Sequence, residues 1–219
     1  MSSDNIYQEE EYKGYTIEIH VDEDPGIDPI NDWDCRLGTM AFFHRDYMLG
    51  DKTDYNIGNY NGWDEMIADV KEREGDIIYL MVRMYDHSGI SISTSNSYPY
   101  NDRWDSGTLG FIYVPLTKVR KEYSVKRVTK AIREKVIDIL ENEVEYYNSY
   151  MTGYVFGYII KDEDGEDIHS CWGFIGRNEI DYMISECKST IDWEIKERER
   201  LAEELLKSNS EKQMEFSYV

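Results

Sequence analysis

Cysteine is scarce in this chain of 219 residues: there are three, Cys35, Cys171 and Cys187, and no two of them stand at metal-knuckle or redox spacing. That excludes a disulfide-stapled scaffold and fits reduced, mostly packed thiols in a cytosol. Proline is nearly absent, with 4 residues, and no Pro/Gly/Ser-rich linker separates two cores, so one domain over 1–207 is expected. Residues 1–11 are expected to be flexible and 208–219 to form a flexible tail. No run of 18 apolar residues occurs, and the first twelve residues are acidic where a secretory leader would start basic. Neither membrane insertion nor export is expected, and the expected location is cytoplasmic. Gly-rich phosphate loops, the paired-glycine dinucleotide fingerprint and a Gly-x-Ser-x-Gly elbow are all missing, so no cofactor is expected.

Positive charge is short as well. There are 24 Lys and Arg against 45 Asp and Glu, a net charge of −21. Such a surface repels phosphate backbones, so nucleic acid is not expected as a direct partner over most of it; a protein with a basic surface is. The charge is also uneven. Residues 1–34 hold eleven acids, among them Asp22, Asp24, Asp28, Asp32 and Asp34, against Lys13 alone. Residues 117–135 hold eight bases against Glu122 and Glu134. Because Lys126 and Arg127 open a predicted helix, where the dipole disfavours cations, something must compensate them. The candidates are the acidic 1–34 segment, an acidic partner patch or nucleic acid.

What remains is 41% hydrophobic and 14% aromatic, enough for a chain of this length to bury about 70% of the surface it exposes unfolded. Tyr15, Ile17, Ile19 and Val21 alternate with polar residues, the period of a strand with one buried face. Arg36 to His44 reads as a second strand, and Asp64 can cap a short helix over 65–74. Ile77 to Tyr85 and Ile90 to Thr94 flank the turn Asp86-His87-Ser88-Gly89 as a hairpin, and Thr108 to Val114 is a strand stopped by Pro115. Val128, Ile132, Val136, Ile139, Leu140, Val144 and Tyr147 share one helical face over about 125–148. A second hairpin, Tyr154 to Ile160 and Ile168 to Phe174, turns at Asp162 to Asp167. The last helix, about 178–207, is expected to pack over Ile180 to Ile191 and to extend free beyond Trp193. The class is α+β: an antiparallel or mixed sheet of about six or seven strands, three or four helices, and a long C-terminal helix.

Two sets of residues are candidates for function. Carboxylates of the Asp22 to Asp34 loop, with Asp162, Asp164 and Glu166, are the expected protein-binding group. As an alternative, His44, Asp46, Asp86, His87 and Asp105 supply the two imidazoles and carboxylates that a hydrolytic metal centre uses, although no two of them have a specific ligand spacing.

Several motifs, Phe43-His44-Arg45-Asp46-Tyr47, Leu49-Gly50-Asp51, Tyr85-Asp86-His87-Ser88-Gly89, Trp104-Asp105-Ser106-Gly107 and Ser170-Cys171-Trp172-Gly173-Phe174, resemble a family of acidic proteins carried by bacteriophages and plasmids, over about Trp33 to Gly176. The chain departs from that pattern at Tyr154 and Ala41, where the family has aspartate and cysteine. The resemblance implies a mobile-element origin and a bacterial host cytoplasm, and it implies no reaction. The leading expectation is an antagonist of a host nucleic-acid-handling or defence protein, of anti-CRISPR or anti-restriction type, acting through an acidic surface. The alternatives are a metal-dependent hydrolase or nuclease, and a structural or regulatory phage protein that forms a homodimer through its C-terminal helix.

Overall fold

The structure is a computed structural model that describes residues 5–33, 35–95 and 104–216, with side chains as far as 207. Asp34 lies outside the described residues. The fold is α+β: the described residues form eight strands in two antiparallel four-stranded sheets and four α-helices, the last of them the long C-terminal helix. The strands divide because the second strand finds its neighbour far along the chain. Two compact units result, where the linker-free sequence suggested one domain: residues 1–25 with 155–219, and residues 26–154.

The first unit orders its strands β1(Ile6–Tyr12), β2(Tyr15–Val21), β7(Val155–Lys161) and β8(Asp167–Ile175). Ile17 pairs with Ile160 and Ile19 with Tyr158, which places the apolar residues of β2 and β7 on one face. That face meets α4(Glu179–Phe216), whose Ile180, Met183, Ile184, Cys187 and Ile191 are buried at helical spacing. Beyond them Trp193, Leu201, Leu205 and Leu206 are exposed, and Arg198–Glu194 and Arg200–Glu204 pairs run along the helix surface. The helix continues to Phe216, past the start of the expected tail. Likewise β1 corrects the expected flexible start: its Glu9, Glu10 and Glu11 form an edge strand paired to β2. Only Cys187 is a packed thiol, and burial pushes its pKa up to about 12; Cys35 and Cys171 are exposed.

The other face of this sheet holds a buried ionic group. Glu18, 6% exposed, accepts from Lys161 Nζ at 2.7 Å and lies 2.8 Å from His20 Nε2. Burial pushes the Glu18 carboxyl up, and the Lys161 and His20 contacts outweigh it, leaving it below its ordinary value of 4.5. A depressed carboxyl stabilises the fold above its unfolded value and loses that contribution as pH falls through its folded value. Stability is therefore expected to decline on acidification from about pH 4.5 downward, and Glu18→Gln to remove part of that decline. A stability profile below pH 5 with the same slope in both proteins would refute the assignment.

The second unit orders its strands β3(Thr39–Phe42), β6(Ser106–Pro115), β4(Ile77–Asp86) and β5(Ile90–Ser93). Central strand β6 is buried from Leu109 to Val114 because helices cover both faces of the sheet. α3(Lys130–Met151) packs Val136, Leu140, Val144 and Tyr147 against Leu109, Ile112 and Val114. α1(Trp63–Glu74) sets Met66, Ile67 and Val70 against Phe111 and Tyr113. Its N-cap is Gly62, so Asp64 sits in the first turn instead of capping it. The helix expected over about 125–148 is α3, which starts at Lys130 and is capped by Thr129 accepting from Ile132 N–H, and a short helix that was not expected, α2(Leu116–Glu122), precedes it. At the α3 contact, Glu143 is 3% exposed and accepts from the backbone N–H groups of Leu37 and Gly38 at 2.5 and 2.8 Å.

Candidate functional site

Antiparallel pairing brings the end of β3, the end of β4 and the start of β6 to one edge of the second sheet. Four of the five residues of the metal alternative therefore meet: His44, Asp46, Asp86 and Asp105 line one cleft of ≈ 360 Å³, with Phe43, Met84, Trp104 and Ser106. His87 joins from its rim through a 2.7 Å contact between Nδ1 and Asp105 Oδ2, and the backbone N–H of Asp86 donates to Asp105 O at 2.8 Å.

The two histidines differ in what they can do. The side chain of His44 is 6% exposed, and its Nδ1 accepts from the N–H groups of Asp46 and Tyr47 at 3.1 and 3.2 Å. In a neutral imidazole the other nitrogen then carries the proton, so Nε2–H is presented to Asp86 Oδ2 at 3.4 Å. Neither nitrogen of His44 offers a lone pair to a metal or a substrate proton. In this arrangement His44 serves as a donor, and no group of three or more His, Cys, Asp or Glu side chains suited to hold a metal ion occurs among the described residues. His87 is the opposite case. Donation from Nδ1–H to Asp105 leaves its Nε2 lone pair available on a side chain 63% exposed.

Charge in the cleft is mostly negative. Arg45 bonds Asp46 at 2.9 Å and holds its carboxyl below the usual range, while Asp86 pairs with His44 and Asp105 with His87. The Ser106 hydroxyl oxygen is buried and has no hydrogen-bond partner among the described residues.

Phe43 and His44 also line a second, larger groove of ≈ 790 Å³, walled by Tyr47, Met48, Tyr55, Ile57, Tyr147 and Tyr150. Met48 is wholly exposed and Tyr47, Ile57 and Trp104 are largely so. As groove residues these escaped the sequence reading, which placed Tyr147 on a helix face and Tyr47 and Trp104 only in motifs; the Tyr and Asn content of the stretch from Tyr47 to Tyr60 was the available signal. Asp51, at the back, is held by Arg36 at 2.5 Å and by Met40 N–H at 2.7 Å.

No family model, no curated protein and no solved structure matches the chain.

The candidate binding acids are divided between the two units. Asp22 and Asp24 belong to the first unit and Asp28 and Asp32 to the second. Asp28 accepts from Ile30 N–H and from the Asn31 side chain, and Asp32 accepts from Asp28 N–H at 2.6 Å, so both hold their own loop. Asp162 likewise accepts from the N–H groups of Asp164 and Glu166 across the β7–β8 turn. Asp24, Asp164 and Glu166 take part in these turns through backbone N–H groups. Of the net −21, the first unit carries −15, with 24 acids against 9 bases, and the second −6, with 21 against 15.

Proposed function

We propose that this chain is a non-catalytic binding protein that antagonises a host nucleic-acid-handling or defence protein by covering a basic surface. The observation that carries the reading is the cleft, with carboxylates of Asp86 and Asp105 and walls of Phe43, Met84 and Trp104, beside a groove that shares Phe43 and His44 with it and presents exposed Tyr47 and Met48. An arginine or lysine of a partner has the matching form, an apolar stem ending in a cation. Aromatic residues and methionine at the rim are the residue types that anchor protein interfaces. The −15 of the first unit speeds encounter with a basic partner at low salt, an effect that screening weakens as salt rises.

The test compares the full chain with a Met48→Ser/Trp104→Ser variant as bait in host lysate, with salt raised from about 0.1 M, where the Debye length is about 10 Å, to about 1 M, where it is about 3 Å. A basic partner retained by the parent, lost with salt and lost from the variant is expected. Equal retention by both baits would remove the cleft from the interface.

One observation favours a second reading, hydrolysis: the His87–Asp105 pair leaves an imidazole lone pair as a base. His87→Gln distinguishes the two, since it should abolish a hydrolytic activity while leaving partner capture within about threefold of the parent.

A further inference from the structure

The segment 117–135 remains unexplained by the cleft, and its charges are not neutralised by the fold. Lys130 lies 3.7 Å from Glu134, and Lys118 donates to the Arg36 carbonyl oxygen at 3.0 Å. Among the described residues Arg120, Lys121, Lys126, Arg127, Arg133 and Lys135 form no ion pair; all are exposed except Arg120, which is half-buried. The acids of 1–34, expected as the compensating group, make none of these contacts.

The arrangement also opposes the helix that carries it. α3 has no acid in its first turn, holds Lys130, Arg133 and Lys135 in its first six residues, and follows directly on Lys126 and Arg127. Glu134 is the one acid among those six, and Asp138, Glu141, Glu143 and Glu145 come later. A macrodipole favours the reverse order, so this corner concentrates positive potential at a cost to the helix. Charges placed against local stability are characteristic of a surface kept for a ligand.

We propose that the α2–α3 corner binds the phosphate backbone of nucleic acid. Two observations separate this from docking of an acidic protein. None of the exposed large hydrophobic side chains falls on α2 or α3, so the corner projects no aromatic or apolar anchor of the kind that leads protein interfaces. Lys and Arg side chains around a helix N-terminus are what backbone phosphates need, and they carry no sequence specificity. Overall acidity does not forbid it, because screening at physiological salt confines each charge's reach to about 8 Å. The surface is distinct from the cleft: one takes an anion, the other a cation, and failure of either leaves the other standing.

The experiment measures fluorescence anisotropy of a short labelled DNA duplex with the full chain and with a Lys126→Gln/Arg127→Gln/Arg133→Gln variant, over salt from about 50 to about 200 mM. The parent is expected to bind, and the variant to bind about tenfold or more weakly at the lower salt, with a slope of log affinity against log salt smaller by roughly 2 to 3, since each lost phosphate contact removes about 0.9. The difference between slopes reads the corner alone, because all other charges are common to both proteins. Loss of cations near the helix start should also leave the melting temperature no lower than the parent's, which separates lost binding from lost folding. No binding by the parent, or equal binding by the variant, overturns the proposal. Displacement by polyglutamate as readily as by unlabelled duplex also overturns it and assigns the corner to an acidic protein.

Discussion

Gly110→Ala is expected to unfold the 26–154 unit or to destabilise it by about 4 kcal/mol or more, the range reached by severe core overpacking. Gly110 sits in the middle of β6, opposite Phe42 on one side and Val82 on the other. A Cβ there would overlap the Ala41 carbonyl oxygen and come to 3.0 Å from Phe42 Cα, and both are backbone atoms of a paired strand. No rotamer change relieves such a clash; β3 would have to leave the sheet, and Met40 and Ala41 would leave the two cores with it. Gly107 in the same strand is the control, since an added Cβ meets only the flexible end of Met84 at 3.9 Å. Urea denaturation should give Gly107→Ala within about 1 kcal/mol of the parent. A Gly110→Ala midpoint equal to the parent's would show that β3 is not held where it is described.

The second large effect is expected at Glu143. Its two oxygens accept the N–H groups of Leu37 and Gly38, which lead into β3 and have no ladder partner of their own. Glu143→Gln keeps the shape but replaces one acceptor by a donor, so one N–H faces another. Leaving a buried donor unsatisfied costs about 1–3 kcal/mol, and donor against donor places the expected loss at the upper end. Burial pushes the Glu143 carboxyl above its ordinary 4.5, against the pull of the two N–H groups, so the folded state holds the proton more tightly than the unfolded chain. Stability should accordingly fall as pH rises through the window starting near 4.5, a fall that Glu143→Gln removes. Unchanged stability in the variant would mean that the two N–H groups find other partners.

Most strands were legible from their local pattern. Alternation marked β2, the Ser88-Gly89 turn marked the β4–β5 hairpin, and the apolar stripe from Val136 to Tyr147 marked α3. β1 was not legible, because three consecutive glutamates carry no strand propensity and the segment is ordered only by pairing with β2. α2 was hidden by Pro115, which read as a stop; it ends β6 and also precedes the first turn of a helix, where a missing N–H costs nothing. Two sheets rather than one could not be seen either, since β2 finds β7 across more than a hundred residues and no local pattern encodes that choice.

The cleft was partly legible. Polar residues at strand ends named His44, Asp46, Asp86 and Asp105, and antiparallel order brought them together. What the residue types could not show is which ring nitrogen of His44 accepts, which depends on the backbone N–H groups of Asp46 and Tyr47 folding back onto Nδ1. Nor could composition place Tyr147 and Tyr150, on α3, beside Tyr47 and Tyr55, nearly a hundred residues earlier.

The interrupted make-up of the first unit bears on how the chain is made. β1 and β2 leave the ribosome as a hairpin, and their partner β7 starts only at Val155. At about 5–20 residues per second the hairpin waits roughly 7 to 27 seconds, while residues 26–154 have all they need to fold. A two-stranded hairpin is marginal in water, and during that interval the β2 edge awaiting β7 stands open to wrong pairings. Glu9, Glu10 and Glu11 on the other strand put charge beside Ile17 throughout the wait, the placement by which flanking charges oppose wrong pairing of an apolar strand, before there is any finished surface for a partner to meet.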